Sequence, residues 1–442
     1  MPADLTATDR RPQPGVDELD PAPFPTNLVP LALSPLALSP PAPGCHFRDV
    51  PRLQRLILTN FRNYASLTWR PAAKIGVLYG PNGSGKTNLL EAISLLVPGR
   101  GLRGARNVDL PRRGSTGGWA VAGRFITASG IGASGITDIG TGSAPDAGTD
   151  RRVFRLDGAA PRNQAEIAAR TASVWLTPQM DRLFQDGLSG RRRFLDRLVW
   201  ALEPTHASEM AAHDTATGSR NRLLAEGRGD RAWLAGLEDA MARHAVTATA
   251  SRLTLVNRLN AALAAGVAGA FPAALIGLRC PIAERLTEQP ALAVEDWMRE
   301  TLAANRPRDN AAGSAILGAH RTDLTLEDAT TGTPAALAST GEQKSLLVGV
   351  ILAHASVIAA TRGFAPLLLL DEPAVHLDPV RRAALFEALA GLESQTVMTG
   401  TDADLFLGLA ERAEAFRTGD GGLWRDERFQ GGVSASDEGV AG

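Results

Sequence analysis

KIGVLYGPNGSGKTNLLEAISLLV, residues 74–97, decides the fold of this 442-residue chain. KIGVLY is a short apolar run of the kind buried inside a sheet, and NLLEAISLLV has helical spacing, so GPNGSGKT (80–87) stands in a strand, loop, helix setting. Gly80, Gly83 and Gly85 permit backbone conformations and close approaches that a side chain would obstruct. Successive N–H groups and the helix N-terminus are then free to surround phosphate oxygens. Lys86 is expected on the terminal phosphates and the Thr87 hydroxyl on Mg2+. Pro81, Asn82, Ser84 and Asn88 complete the expected nucleotide contacts. A lone glycine motif says little; this complete pattern with its flanking elements is specific.

Downstream, LLLLDEPAVHLDP (367–379) carries two adjacent carboxylates out of four leucines. The leucines predict a buried central strand with Asp371 at its C-terminal end, where ligands bind in open α/β sheets. The magnesium beside Thr87 compensates the Asp371 charge, and Glu372 is placed to polarise or deprotonate an attacking water. Pro373 ends the strand before a helix with body RRAALFEALAGL. His376 is left open between packing within its loop and a subunit contact.

These two pieces lie far apart in the chain, with helical spacing at 190–203, 230–265 and 291–304 between them. The expected class is α/β: a P-loop ATPase lobe interrupted by a mostly helical inserted domain. Its expected parts are a proline-rich disordered leader (1–48), the first part of the lobe (49–190), the helical insertion (191–310), the second part of the lobe (311–417) and a flexible tail (418–442). The small-residue stretch 126–150 reads as a loop between VAGRF and RRVFRLDG.

Composition excludes some partners. Lys and Arg total 46 against 47 Asp and Glu, for a net charge of −1, so a nucleic acid would have to meet a local patch. Two cysteines make no disulfide framework or metal pattern and fit a reducing cytoplasm. The apolar leader run is broken by prolines and preceded by acids, unlike an export signal, and no uninterrupted apolar span of about 20 residues follows it.

ASTGEQKSLLVGVILAHA (338–355) begins as a capped turn before an apolar helix. The Ser339 hydroxyl and Gly341 N–H make an anion-binding point, although a merely N-capped helix has the same appearance. The glycine loop already surrounds its own nucleotide, so the economical reading is that Ser339 and Gly341 cap the γ-phosphate of nucleotide held by a second subunit.

GPNGSGKTNLLEAI (80–93), STGEQ (339–343), LLLLDEP followed by AVHLD (367–378) and TVMTGTD (396–402) together resemble the ATP-binding-cassette type of ATPase. TNFRNY (59–64), WLTPQMDRLFQDGLSGRRRFLD (175–196) and GAHRTDL (318–324) narrow the resemblance to the RecF family, related to the SMC class, over roughly residues 50–415. The resemblance implies ATP and Mg2+ as cofactors and that Ser339 and Gly341 contact ATP in trans. Gln179 would approach the metal from a lobe-connecting segment, and Ala374–Asp378 would cross the dimer seam. Arg62 and Asn63 would be nucleotide-proximal, whereas Tyr64 is left between base stacking and core packing, with packing favoured. It also implies ATP-dependent homodimerisation, binding to duplex DNA near single-strand gaps, and work with RecO and RecR in loading RecA. One departure is TGTD: Thr399 and Thr401 stand where many cassette ATPases have a γ-phosphate-sensing histidine. A hydroxyl cannot supply a cationic imidazole, so slow, switch-like hydrolysis is expected.

Candidate DNA contacts are Arg103 and Arg106 after the glycine-loop helix, with Arg100, Arg112 and Arg113 nearby, and Arg191, Arg192 and Arg193 at the entrance to the helical insertion. Guanidinium forks suit phosphate oxygens and position a protein without reading sequence. Charged helix faces paired with local acids are the bland alternative. Two rival functions fit less well. A transporter nucleotide-binding subunit needs a shorter interval than the more than 250 residues separating Lys86 from Ser339. A long SMC tether needs uninterrupted heptads that glycine and proline break here.

Overall fold

The computed structural model describes residues 51–115, 117–126, 135–144, 151–227 and 230–431. Strands β1 (Arg52–Phe61) and β2 (Tyr64–Trp69) form a hairpin whose turn is Arg62–Asn63. In β1 a bulge between Leu53 and Arg55 brings Leu53 onto the core face with Leu56 and Leu58, and Phe61 is buried beyond Asn60, whose φ of 48° breaks the alternation. β3 (Ile75–Tyr79) runs through the glycine loop into α1 (Lys86–Ser94). With β4 (Ala120–Ile126), β5 (Ile136–Ser143) and β6 (Arg152–Leu156), the first hairpin builds an antiparallel sheet in the order β2-β1-β4-β5-β6.

After α2 (Gln164–Ala168) and β7 (Ser173–Leu176), the chain leaves the lobe through helices α3 (Leu188–Leu202), α4 (His206–Glu226) and α5 (Arg231–Ala264). The return passes β8 (Ala274–Arg279), then α6 (Pro281–Glu288), α7 (Ala291–Ala304) and α8 (Arg306–Ala312), and β9 (Asp323–Asp328), which pairs antiparallel with β8. The lobe is then completed by α9 (Thr340–Arg362), β10 (Leu367–Leu370), α10 (Pro379–Gly391), β11 (Thr396–Gly400), β12 (Ala413–Gly419) and β13 (Gly422–Asp426).

The main sheet has the order β13-β12-β3-β11-β10-β7, parallel throughout except at the β12–β13 hairpin. Its strands come from before residue 177 and after residue 366, so the α/β lobe is assembled from both ends of the described chain around a helical interval, as the motif spacing predicts. Because β11 sits between β3 and β10, the glycine loop and Asp371 emerge at the same edge with one strand between them.

Two apolar cores follow this division. Among the described residues one joins both sheets to α1, α9 and α3 and also takes in Leu255, Leu259 and Leu263 of α5 and Ile276 of β8; the other is drawn from residues 216–319, including Met241, Ile282, Val294, Met298 and Leu302. The expected boundary at residue 191 therefore falls inside α3, whose Phe194, Leu195, Leu198, Val199 and Leu202 pack in the lobe's core. α9 is long and apolar enough to cross a membrane, with a mean hydropathy of 1.7 over its best window, but 83% of that window is buried inside the protein. It is a core helix.

Two expectations need correction. Residues 136–143, read as loop, form β5, where Ile139 and Thr141 face the interior and Asp138 pairs across to Arg124 at 2.7 Å. Residues 418–431, read as flexible tail, carry the β12–β13 hairpin and end on the buried Phe429. The expected leader (1–48), the rest of the expected loop at 127–134 and 145–150, and the final eleven residues of the expected tail lie outside the described residues.

Candidate nucleotide-binding site

The glycine loop is held in shape by its surroundings. Gly85, at φ 108°, begins α1, and a side chain there would collide with Asn63 and meet Tyr64 Oη at 2.6 Å. Tyr64 is fully buried and donates to the Gly85 carbonyl at 3.2 Å, so it braces the loop from within the core, as packing rather than base stacking requires. Burial raises its phenol pKa above the ordinary value. Asn63 reaches the Ser84 carbonyl at 3.4 Å and accepts from Asn88 at 2.8 Å. From the other side, Ser84 and Thr418 hydroxyls lie 2.5 Å apart, and Thr418 donates to the Tyr79 carbonyl at 3.1 Å. Lys86 folds back on the loop, donating to the carbonyls of Gly80 at 2.6 Å and Pro81 at 3.0 Å. Burial lowers its pKa, and nearby Glu372 and Asp371 oppose that shift. An ammonium resting on its own loop's carbonyls is available to move onto phosphate oxygens.

Across the sheet edge, Thr87 donates to Asp371 Oδ1 at 3.0 Å, joining residues 284 positions apart. Thr399 donates to the same oxygen at 2.8 Å and accepts the Glu372 N–H at 2.9 Å. Thr399 is fully buried, so the expectation that it touches nucleotide is corrected: its one proton is spent on Asp371, and it acts behind the carboxylates. Glu372 has φ 50°, a left-handed conformation that a non-glycine residue adopts only when its surroundings over-determine it. Much of that determination comes from Lys344 on α9, whose ammonium donates to the carbonyls of Glu372 at 3.0 Å and Val375 at 2.6 Å and lies 3.7 Å from Asp181. Lys344 is almost fully buried, and desolvation lowers its pKa against the pull of Asp181 and Glu372. Gln179 is exposed in the short 3-10 turn Pro178–Arg182, directly after β7 and so beside the end of β10.

Ser339 caps α9 in a full capping box: its hydroxyl donates to Glu342 at 2.7 Å, its N–H does so at 2.8 Å, and the Glu342 N–H points back at 3.4 Å. Those hydrogen bonds hold the Glu342 carboxyl below its usual pKa. Gly341 lies close to the exposed loop residue His376, whose carbonyl would be 3.4 Å from a side chain at that glycine. The STGEQ turn (339–343) and the loop after Glu372 thus share one surface.

The arginines divide sharply. Arg62 is locked on the fully buried Glu91 of α1 through two hydrogen bonds of 2.8 and 2.7 Å, and its third goes to the Asp109 carbonyl, so it is a brace for α1 rather than a free nucleotide ligand. Arg103 donates to Asn88 at 2.7 Å and stands 3.5 Å from Glu91. Arg106 pairs with Asp109 on the surface. Arg191 is a correction: it makes a bidentate pair with Asp323 at 2.6 and 3.1 Å and a third bond to the Asp186 carbonyl, so it fastens α3 to β9. Arg192 is half-buried beside Arg252, and burial and that neighbour lower its pKa. Arg193 is exposed and, among the described residues, has no side-chain hydrogen-bond or ion-pair partner. Sequence reading missed Lys344, Glu91 and Thr418; the lysine directly after STGEQ was the nearest available signal.

Comparison with known proteins gives a consistent result. Residues 52–416 match the family model described as the RecF/RecN/SMC N-terminal domain. The chain is similar to the DNA replication and repair protein RecF of Mesorhizobium japonicum, 46% identical over 364 residues and covering 82% of this chain and 94% of that one. It is likewise similar to the protein of the same description from Agrobacterium fabrum, 45% identical over 373 residues, 84% of this chain and 98% of that one. A solved structure of the recombination mediator protein RecF with ATPrS, described in the RecFOR pathway, matches with a TM-score of 0.75 over 86% of this chain and all of that one. At 21% identity that match speaks to the fold.

Proposed function

The chain belongs to the RecF family within the RecF/RecN/SMC class, and from that premise we propose that it is an ATP-gated DNA-binding homodimer acting at single-strand gaps in recombinational repair and replication restart. It assists RecA loading together with RecO and RecR, in the cytoplasm. Slow ATP hydrolysis resets it. The carrying observation is the meeting of Thr87 and Asp371 on one hydrogen bond across 284 residues, because it joins the phosphate loop to the hydrolytic carboxylates.

The roles follow from the geometry. Lys86 exchanges the Gly80 and Pro81 carbonyls for phosphate oxygens, so binding replaces hydrogen bonds that already exist rather than ordering a free side chain. Thr87 Oγ1 and Asp371 Oδ1, 3.0 Å apart, form an all-oxygen pair suited to a hard divalent cation, and Gln179, three residues beyond the end of β7 where β7 pairs with β10, is the candidate to join them. A magnesium ion, if held by these oxygens, would supply charge neutralisation to the bound phosphates. Glu372 receives the proton of the attacking water, its backbone fixed by Thr399 and Lys344. Ser339 must leave Glu342 to meet a γ-phosphate from the partner, so signature engagement competes with the capping box.

Against the transporter and long-tether alternatives, the interval between the two halves of the lobe folds into its own helical core. The proposal is tested by measuring binding to a gapped duplex with and without ATP while following oligomeric state. ATP-dependent binding that tracks dimer formation supports it; gapped-duplex binding independent of ATP and of dimerisation overturns it.

A further inference from the structure

Beside α1 lies an open bowl of about 990 Å3 whose wall, among the described residues, carries Arg62, Arg103, Arg112 and Arg113 against a single acid, Asp109, which is already paired to Arg106. Arg112 and Arg113 are exposed and, among the described residues, have no side-chain hydrogen-bond or ion-pair partner. Their neighbours in the wall include Gly117, Gly118 and Ser143, too small to keep a bulky polymer away. Val108, 44% exposed, supplies the one large apolar surface. Two guanidinium groups uncompensated among the described residues, backed by Arg103, which is only partly committed, suit a chain of phosphates better than a single anion, because forks at several points along the wall each take a separate phosphate.

The bowl is also wired to the nucleotide loop. Arg103 donates to Asn88, Asn88 donates to Asn63, and Asn63 donates to the Ser84 carbonyl, while Arg62 and Arg103 both face Glu91 one turn further along α1. A phosphate that draws Arg103 into the bowl takes a hydrogen bond away from the helix that begins at Lys86.

Resting on the DNA-binding reading above, we infer that this bowl holds the phosphodiester backbone of the nucleic acid, with Arg112 and Arg113 as its primary contacts and Arg103 as the positioning residue that reports occupancy to the phosphate loop. Arg191 does not share this role, since it is committed to Asp323, and Arg193 on the same helix is not part of the bowl's wall.

The experiment measures affinity for a gapped duplex by fluorescence anisotropy over a range of salt, for the wild-type chain and for Arg112→Ala/Arg113→Ala, Arg103→Gln and Arg193→Ala. The double variant should bind at least tenfold more weakly at moderate salt, and its log K against log salt slope should fall by about 1.8, for two lost phosphate contacts. Its ATP affinity should be unchanged. Arg193→Ala should leave affinity and slope as in the wild type. Arg103→Gln should abolish the change in ATP affinity that DNA causes. An unchanged slope in the double variant, or an equal loss from Arg193→Ala, overturns the bowl. Retention of DNA-dependent ATP affinity in Arg103→Gln overturns the relay. Loss of binding to a poly-glutamate peptide with DNA binding intact assigns the bowl to an acidic protein and also overturns the proposal. Failure of the wild-type chain itself to bind DNA removes the underlying reading instead, so the two failures are distinct.

Discussion

Thr399 gives its hydroxyl proton to Asp371 at 2.8 Å and takes the N–H of Glu372 at 2.9 Å, so one buried side chain on β11 sets the relation between the two carboxylates that follow β10. Thr399→Val keeps the shape and removes both bonds, leaving the half-buried Glu372 N–H without its partner at a cost of about 1 kcal/mol. Turnover should fall at least tenfold while ATP affinity changes little. Single-turnover hydrolysis beside equilibrium ATP titration checks this, and undiminished turnover would show that Glu372 is held by other means.

Lys344 is the corresponding brace from α9. Lys344→Met strips the ammonium from two carbonyls and from Asp181, and breaking one side of a buried charged pair costs about 3–5 kcal/mol. Urea unfolding should show a loss of that order. A midpoint within experimental error of wild type would mean that Asp181 and the Glu372 loop find other partners.

Lys86→Ala removes the one cation inside the glycine loop. ATP binding followed by calorimetry should be lost while the melting temperature without nucleotide stays near the wild-type value. Retained micromolar binding would place the nucleotide elsewhere.

In the helical domain, Arg220 is fully buried and bonded to Glu238, Asp309 and the Leu302 carbonyl, and Arg306 completes the network on Glu238. Arg220→Met leaves Asp309 buried without its cation and should cost about 3–5 kcal/mol. Limited proteolysis should first cleave between residues 216 and 319, with ATP binding at the lobe preserved. Unaltered resistance to protease would contradict the role given to this network.

Two buried histidines set an acid limit. Burial pushes His354 down to about 3, against the bond from its ring to the Leu198 carbonyl. Burial and the neighbouring His320 push His213 down to about 4. Both folded-state values lie below the unfolded value of 6.5, so the unfolded chain binds more protons between them. Stability is therefore full above the unfolded value and is lost as pH falls, by at most about 1.4 kcal/mol per pH unit for each histidine. Melting temperature should decline from pH 7 to pH 5, and less steeply in His354→Gln. A flat profile over that range would contradict neutral burial of these rings.

What could be read from the sequence was mostly local. GPNGSGKT between its strand and helix, and LLLLDEP ending a central strand, each carry their meaning within a dozen residues, and both stand where their patterns require. The role of Thr399 was hidden because it depends on β11 lying between β3 and β10, an adjacency that no spacing along the chain reveals. Arg191 looked free because its acid, Asp323, is 132 residues away. β5 escaped notice because ITDIGTGS offers threonines and glycines instead of a continuous apolar face, and it is held by neighbours on both sides. Glu91 looked like an ordinary helix residue until the Arg62 turn closed over it.

The central claim is that one nucleotide is shared between the glycine loop of one subunit and Ser339 of its partner. It is tested most directly by sedimentation of Glu372→Gln and of Glu372→Gln/Ser339→Arg at saturating ATP and micromolar protein, with ATP affinity measured for each. The account predicts that both variants bind ATP, the double more weakly because it lacks the partner's contact, with a dimer for the single variant and a monomer for the double. A monomeric single variant, or a double variant that dimerises as well as the single, would contradict it.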